Sequence, residues 1–326
     1  MKYRVFAIIL FAGLSIQSQS ANPPWGFWAH KRINKMALYT LPQELYGFYK
    51  PYTDYIEEHA VDPDKRRYAV VGEAPRHYID IDHYGEYPFP DLPRKWKDAV
   101  ARYSEDSLQA YGIVPWHIEV MMYRLEDAMR EQDVKNILRL TADLGHYIGD
   151  AHVPLHCTEN YNGQLTNQHG IHAFWESRIP ELLGDDYDYL VGKAEYIPYV
   201  RDKTWEIVLQ SHLMSDSVLN LEAELDKTFP GDKKYAYEAR GQATVRTYSR
   251  EYSLRYNEMM HNMVERRMRE TIINLGSYWL TAWINAGKPN LTGIEIKPFT
   301  DDELREMEEI EASYRSGGSM IGRPEE

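Results

Sequence analysis

The chain has 326 residues, enough for one large domain or two smaller ones with a sizeable core. Its formal net charge of -13, from 37 basic and 50 acidic residues, argues against a general basic nucleic-acid-binding surface. The single cysteine, Cys157, excludes an intrachain disulfide and reads as a lone buried thiol.

Lys2 and Arg4 precede the apolar run VFAIILFAGLSI, and small residues follow in SQSA. That is the order of a secretory signal peptide, here residues 1–21, with an apolar run too short to span a membrane comfortably. The mature protein is therefore expected to be exported, to the periplasm or beyond. After Trp25, AHKRINKMALYTLP reads as a helix with Ile33, Met36 and Ala37 on its apolar side, stopped at Leu41-Pro42. Residues 43–60 read as a second helix. Turns follow at Asp62-Pro63 and Ala74-Pro75, and Pro88, Pro90 and Pro93 make 84–95 an irregular loop.

Helices are predicted at 96–110, at 115–132 (Ile118, Met121, Met122, Leu125 and Met129 along one side) and at 134–152. A Gly- and Asn-rich loop at 158–170 precedes a helix at about 171–183. The stretches 200–227 and 236–285 are mostly free of breakers, and their apolar residues predict packed helices. No strand alternation of consequence, fixed-period repeat or dividing linker is evident. The fold class is all-α: a single-domain multi-helix bundle over 25–286. The tail, 287–326, carries a short acidic helix in DDELREMEEIEASY.

Residues 141–176 concentrate the chemistry. His146 and Asp150 are four apart, as are His172 and Glu176, so each pair projects from one face of a helix. Pro154 ends the first helix and leaves His156 on the following turn. Imidazole and carboxylate together suit zinc better than magnesium or calcium, which take oxygen alone. His152 and His169 are additional histidines beside this set. The G-x-S-x-G elbow, the phosphate-cradling G-x-x-x-x-G-K, the dinucleotide fingerprint and H-E-x-x-H are all absent. Metal-assisted hydrolysis is the chemistry that remains.

H-Y-I-G-D-A-H-V-P-L-H (146–156) followed by H-A-F-W-E (172–176) resembles the zinc-dependent phospholipase C and single-strand-specific zinc nuclease superfamily. The resemblance runs from Trp25 to about residue 285 and implies an all-α protein with three zinc ions in a cleft. Carried over by position, it implies Asp62, His77, His146 and Asp150 as ligands of one zinc, and His156, His172 and Glu176 as ligands of a second. Asp150 would bridge to a third, completed by His30 and by the amine and carbonyl of a first-residue Trp25. Signal cleavage near Ser20 or Ala21 leaves Asn22-Pro23-Pro24 ahead of Trp25. Three Zn2+ per chain are therefore expected with further trimming to Trp25, and two without it.

The resemblance further implies a phosphodiesterase in which Asp62 orients or deprotonates a zinc-bridging water that attacks phosphorus. The substrate is a phosphate diester, either a phospholipid head group or single-stranded nucleic acid; no stable protein partner is predicted. Glu176 and the short His156–His172 interval lean toward the phospholipase C branch. Tyr78 and Asp80, in H-Y-I-D, match positions where the nuclease branch stacks and hydrogen-bonds a base. A zinc-binding envelope protein without catalysis is the reading from a different class.

Overall fold

A helix that is apolar on every side has to sit in the middle of a protein, because no face of it gains from water. Val134–His152 takes that central place although it also carries Asp143, His146 and Asp150: every residue from Leu140 to His152 is buried, while Arg139 near its start is exposed. Asp133 caps its start by accepting from Asn136 N at 3.2 Å, and Pro154 ends it. The computed structural model of the chain describes residues 26–240, 243–294, 296, 298–317 and 319–323. The expected signal peptide (1–21) and Trp25 lie outside them. Four long helices pack against the central one: Phe27–Leu38, Val114–Arg130, Val200–Thr228 and Met263–Asn285. Trp279, fully buried, donates its indole N–H to Thr141 O at 3.2 Å and ties the last of these to the centre. The result is a single, mostly helical body, and the acidic tail helix is Asp301–Arg315. Among the described residues, no helix is long and apolar enough to cross a membrane.

Three expectations are corrected. The helix at 43–60 is broken into Gln43–Tyr49 and Thr53–Glu58, joined by a 3-10 turn around Pro51, which has no N–H for a helical bond. The helix at 96–110 is interrupted at Ser104, whose φ of 68° ends Trp96–Tyr103 and whose hydroxyl caps Glu105–Tyr111. Residues 236–285 do not open as a helix. They include most of an antiparallel hairpin, Tyr235–Arg240 paired with Ala243–Tyr248 in the register Tyr235 opposite Tyr248. Helices then resume as Arg250–Met259 and Met263–Asn285. The hairpin signal is present in the sequence as Gly241-Gln242 between two runs of Tyr, Ala, Thr and Val, the Gly-X pair of a two-residue loop.

The hairpin matters to the site because it braces the segment that carries Glu176. Phe174 stacks on Tyr248 at 3.8 Å, and Arg178 donates to Tyr248 O and forks onto Glu238 at 2.6 and 2.8 Å. Between them, Phe174–Arg178 is wound as a π-turn inside the helix from Ile171 to Leu183. Such turns commonly mark functional positions.

Candidate metal centre

Local structure delivers the histidines one at a time. His30 comes from the Phe27–Leu38 helix, His146 and Asp150 from the central helix, His156 from the 3-10 turn Pro154–Cys157, and His172 and Glu176 from the π-wound helix. His77 follows the short turn Ala74–Arg76, and Asp64 sits on the short helix Asp62–Arg66. Close helix approach is needed to bring them together. At Gly149 a Cβ would lie 2.9 Å from the His30 ring, and at Gly145 it would lie 2.1 Å from Asn34 Oδ1. Glycine at these two positions lets the first helix lie directly on the central one.

Three of the rings are oriented by the backbone. His146 Nδ1 donates to Ala60 O at 2.9 Å, His156 Nδ1 to His77 O at 2.6 Å, and His172 Nδ1 to Tyr161 O at 3.1 Å. A carbonyl can only accept, so Nδ1 carries the proton in each and Nε2 is the atom turned toward the centre, where a metal would bind.

The inward atoms form a polyhedron. Asp64 Oδ1, His77 Nδ1, His146 Nε2 and Asp150 Oδ2 are separated along five edges by 3.6, 3.4, 3.1, 3.0 and 3.3 Å. Tetrahedral zinc, with ligands at about 2.0–2.2 Å, sets its ligands roughly 3.3–3.5 Å apart. A second group holds Glu176 Oε2 at 3.3 Å from His156 Nε2 and 2.8 Å from His172 Nε2. In a third, His30 Nε2 stands 3.4 Å from Asp150 Oδ1 and 3.4 Å from Glu176 Oε1. Asp150 and Glu176 thus each turn one oxygen to one group and the other oxygen to the third. Despite these short distances, Asp150 Oδ2 and His172 Nε2 make no aligned hydrogen bond within the described residues. The atoms converge on common points rather than on each other, so the residues present fit metal ions.

Electrostatics say the same. Burial alone would push the carboxyls of Asp64, Asp150 and Glu176 up, but the facing imidazoles hold all three below the usual carboxylate range. Burial likewise opposes charge on His146, yet Asp150 and Asp64 raise it well above the ordinary histidine value. His30 is also raised: burial and His146 oppose its charge, and Asp150 and Glu176 overcome them. The rings and the acids thus favour one another's charged forms.

Of the residues implied by the resemblance, the structure brings together His30, His77, His146, Asp150, His156, His172 and Glu176. Asp62 is not among them. Its Oδ2 lies 2.5 Å from His59 Nδ1 and its Oδ1 3.4 Å from Lys65 Nζ, and Asp64 occupies the position assigned to it. One helical turn supplies both Asp62 and Asp64, and spacing to His77 cannot separate them. Trp25 lies outside the described residues, but its neighbour Gly26 (φ 98°) sits where a Cβ would be 2.9 Å from Glu176 Oε1. The chain therefore enters beside the third group. His152 turns away, bonded to Ile148 O and Asn274 Nδ2, and His169 is exposed.

Beside the centre, Tyr78 and Asp80 are buried. Tyr161, whose carbonyl orients His172, lies across from Tyr78, and the two rings flank a slot floored by Asp80 Oδ1. Tyr161 went unrecognised in the sequence because it lies in an irregular loop with no periodicity. Neither known protein families nor curated proteins give any match to the chain.

Proposed function

We propose that the chain is a zinc-dependent hydrolase of phosphate diesters. The observation that carries this reading is the set of three acid–imidazole groups joined through the two oxygens of Asp150 and the two oxygens of Glu176. Metal ions sharing carboxylates in this way lie close enough to grip one substrate, and zinc there would acidify a water to a pKa of about 7 and polarise a phosphoryl oxygen. Three carboxylates against three divalent ions would leave the centre about three units positive within an acidic protein, which suits a phosphate diester.

Asp64 and Glu176 are the least buried members, with 14% and 11% of their side chains exposed. A catalytic zinc site keeps an open coordination position where a structural one is closed, and substrate would reach the centre past these two carboxylates. In this reading Asp64, whose Oδ1 faces His77 and His146, would orient the attacking water and take its proton. His146, His156 and His172, held by carbonyls, keep the ligand geometry through the reaction. Between the two diester classes, the Tyr78–Tyr161 slot favours a base-bearing substrate, since a base can stack between aromatic rings. Export, with trimming to Trp25, belongs to the same reading.

The test is zinc content and mature amino-terminal mass of the exported protein. It is paired with assays on bis-p-nitrophenyl phosphate, phosphatidylcholine and single-stranded DNA, with and without chelator. About three zincs, a Trp25 start and chelator-sensitive cleavage of single-stranded DNA are expected. Preference for phosphatidylcholine would move the substrate to the lipid class. Bound zinc with no cleavage of any of the three would overturn the hydrolase reading in favour of a zinc-binding protein.

A further inference from the structure

The slot beside the metal centre is filled by the chain itself. Arg323 lies between the two rings, its Cζ 3.7 Å from the centroid of Tyr78 and 3.7 Å from that of Tyr161, and it donates from Nη1 to Asp80 Oδ1. The guanidinium is planar, carries donors along its edge and stacks on aromatic faces. A nucleobase shares all three properties. Outside the slot, two backbone contacts hold the described part of the tail to Arg67. Ile321 N donates to Arg67 O at 2.7 Å, and Arg67 Nη2 donates to Arg323 O at 2.7 Å. Upstream, Tyr314 packs against Phe27 and Tyr68, and Glu311 pairs with Lys65 at 3.3 Å, so the Asp301–Arg315 helix lies over the segment carrying Asp64.

We propose that Arg323 is an intramolecular competitor for the Tyr78–Tyr161–Asp80 slot, so that the carboxy-terminal tail must leave before a nucleobase can stack there. The nucleobase as occupant rests on the function proposed above. Residues 316–323 tether Arg323 at the end of a docked helix, which gives it an effective concentration on the order of millimolar. A free nucleoside binding more weakly than that is excluded. A strand gripped at the same time by the metal centre has the additional contacts needed to displace the tail.

The experiment uses adenosine, which has no phosphate and needs neither zinc chemistry nor turnover. Its binding to the full-length protein is followed by tyrosine fluorescence and calorimetry. Arg323→Ala is expected to bind adenosine about tenfold more tightly than the unaltered chain. Arg323→Lys, which keeps the charge beside Asp80 but loses the plane, is expected to fall between them. Hydrogen exchange at residues 319–323 of the unaltered chain should rise when adenosine is added. Equal binding by all three proteins, or no binding by any, overturns the proposal, as does unchanged exchange in the tail. Circular dichroism checks that each variant is folded. Adenosine binding that obeys this pattern in a protein that cleaves no diester would count against the hydrolase reading alone; diester cleavage with adenosine binding indifferent to Arg323 would count against the tail alone.

Discussion

Asp62 and Asp64 sit two residues apart on one short helix and face different partners. Asp64 Oδ1 is 3.4 Å from His146 Nε2, inside the metal centre, whereas Asp62 Oδ2 is 2.5 Å from His59 Nδ1, outside it. The two are therefore separable by mutation. Asp64→Asn is expected to lower zinc affinity by more than about 100-fold, since outer partners alone cost 10–100-fold. Diester turnover should fall with it. Asp62→Asn should leave zinc content intact and cost less than about 1 kcal/mol, as for a partly exposed pair. Metal analysis of the two purified variants checks this, and a reversed pattern would return the ligand role to Asp62.

Much of the centre was legible because its chemistry is local in sequence. His146 with Asp150 and His172 with Glu176 are helical neighbours, and Pro154 fixes where His156 begins. What was not legible depends on tertiary direction. Nothing in VDPD tells which carboxylate turns inward; that depends on how the segment docks on the central helix, where His146 Nδ1 donates to Ala60 O. The Gly241-Gln242 signal of the hairpin at 235–248 was outweighed because its Tyr and Arg residues fit a helix face as readily as a strand, and its value lies in packing on Phe174. The tail's end, GSMIGR, has no periodicity at all, and only the folded chain carries Arg323 to Tyr78 and Tyr161.

Gly149 offers a test of how tightly the first helix must lie on the central one. In a helix interior, glycine to alanine gains about 1 kcal/mol from propensity. Here the new methyl would stand 2.9 Å from both Cε1 and Nδ1 of His30, a buried ring that would have to shift away from its partners Asp150 and Glu176. Overpacking of this kind costs about 1–3 kcal/mol, so the clash should win. Gly149→Ala is expected to melt lower than the unaltered protein and to lose the zinc proposed to lie between His30, Asp150 and Glu176. A variant that melts higher with full zinc content would show that His30 is not confined as described.

Glu73 supports His77 from behind. It is fully buried and paired with Arg76 Nη1 at 2.7 Å, with Arg66 and with the Tyr147 hydroxyl. Burial would raise its pKa, but His77 and Arg66 outweigh burial and hold it well below the usual range. A depressed carboxyl contributes stability that is fully present above the unfolded value, about 4.3, and is lost as pH falls from there toward the folded value. Glu73→Gln should therefore cost about 3–5 kcal/mol at pH 7, the cost of breaking a buried ion pair, and flatten the decline in stability below pH 4.3. Urea unfolding across that pH range, with zinc held constant, would reveal a silent substitution and refute the assignment.

Zinc binding should release protons, and the direction follows from His146. In the metal-free protein burial disfavours its charged form, but Asp150 and Asp64 raise its pKa well above the ordinary value and so favour the protonated ring. His30 is raised too, between Asp150 and Glu176. A zinc ligand must be the neutral ring, so each of these protons leaves as metal enters. Apparent zinc affinity should then rise with pH through the neutral range and fall as acid returns protons to the rings. Titrating chelator-stripped protein with zinc in buffers of different ionisation enthalpy measures the count directly. More than one proton released per chain at pH 7 is expected. A heat of binding independent of the buffer would mean that His146 and His30 are already neutral, and that the carboxylates around them are balanced by some other cation.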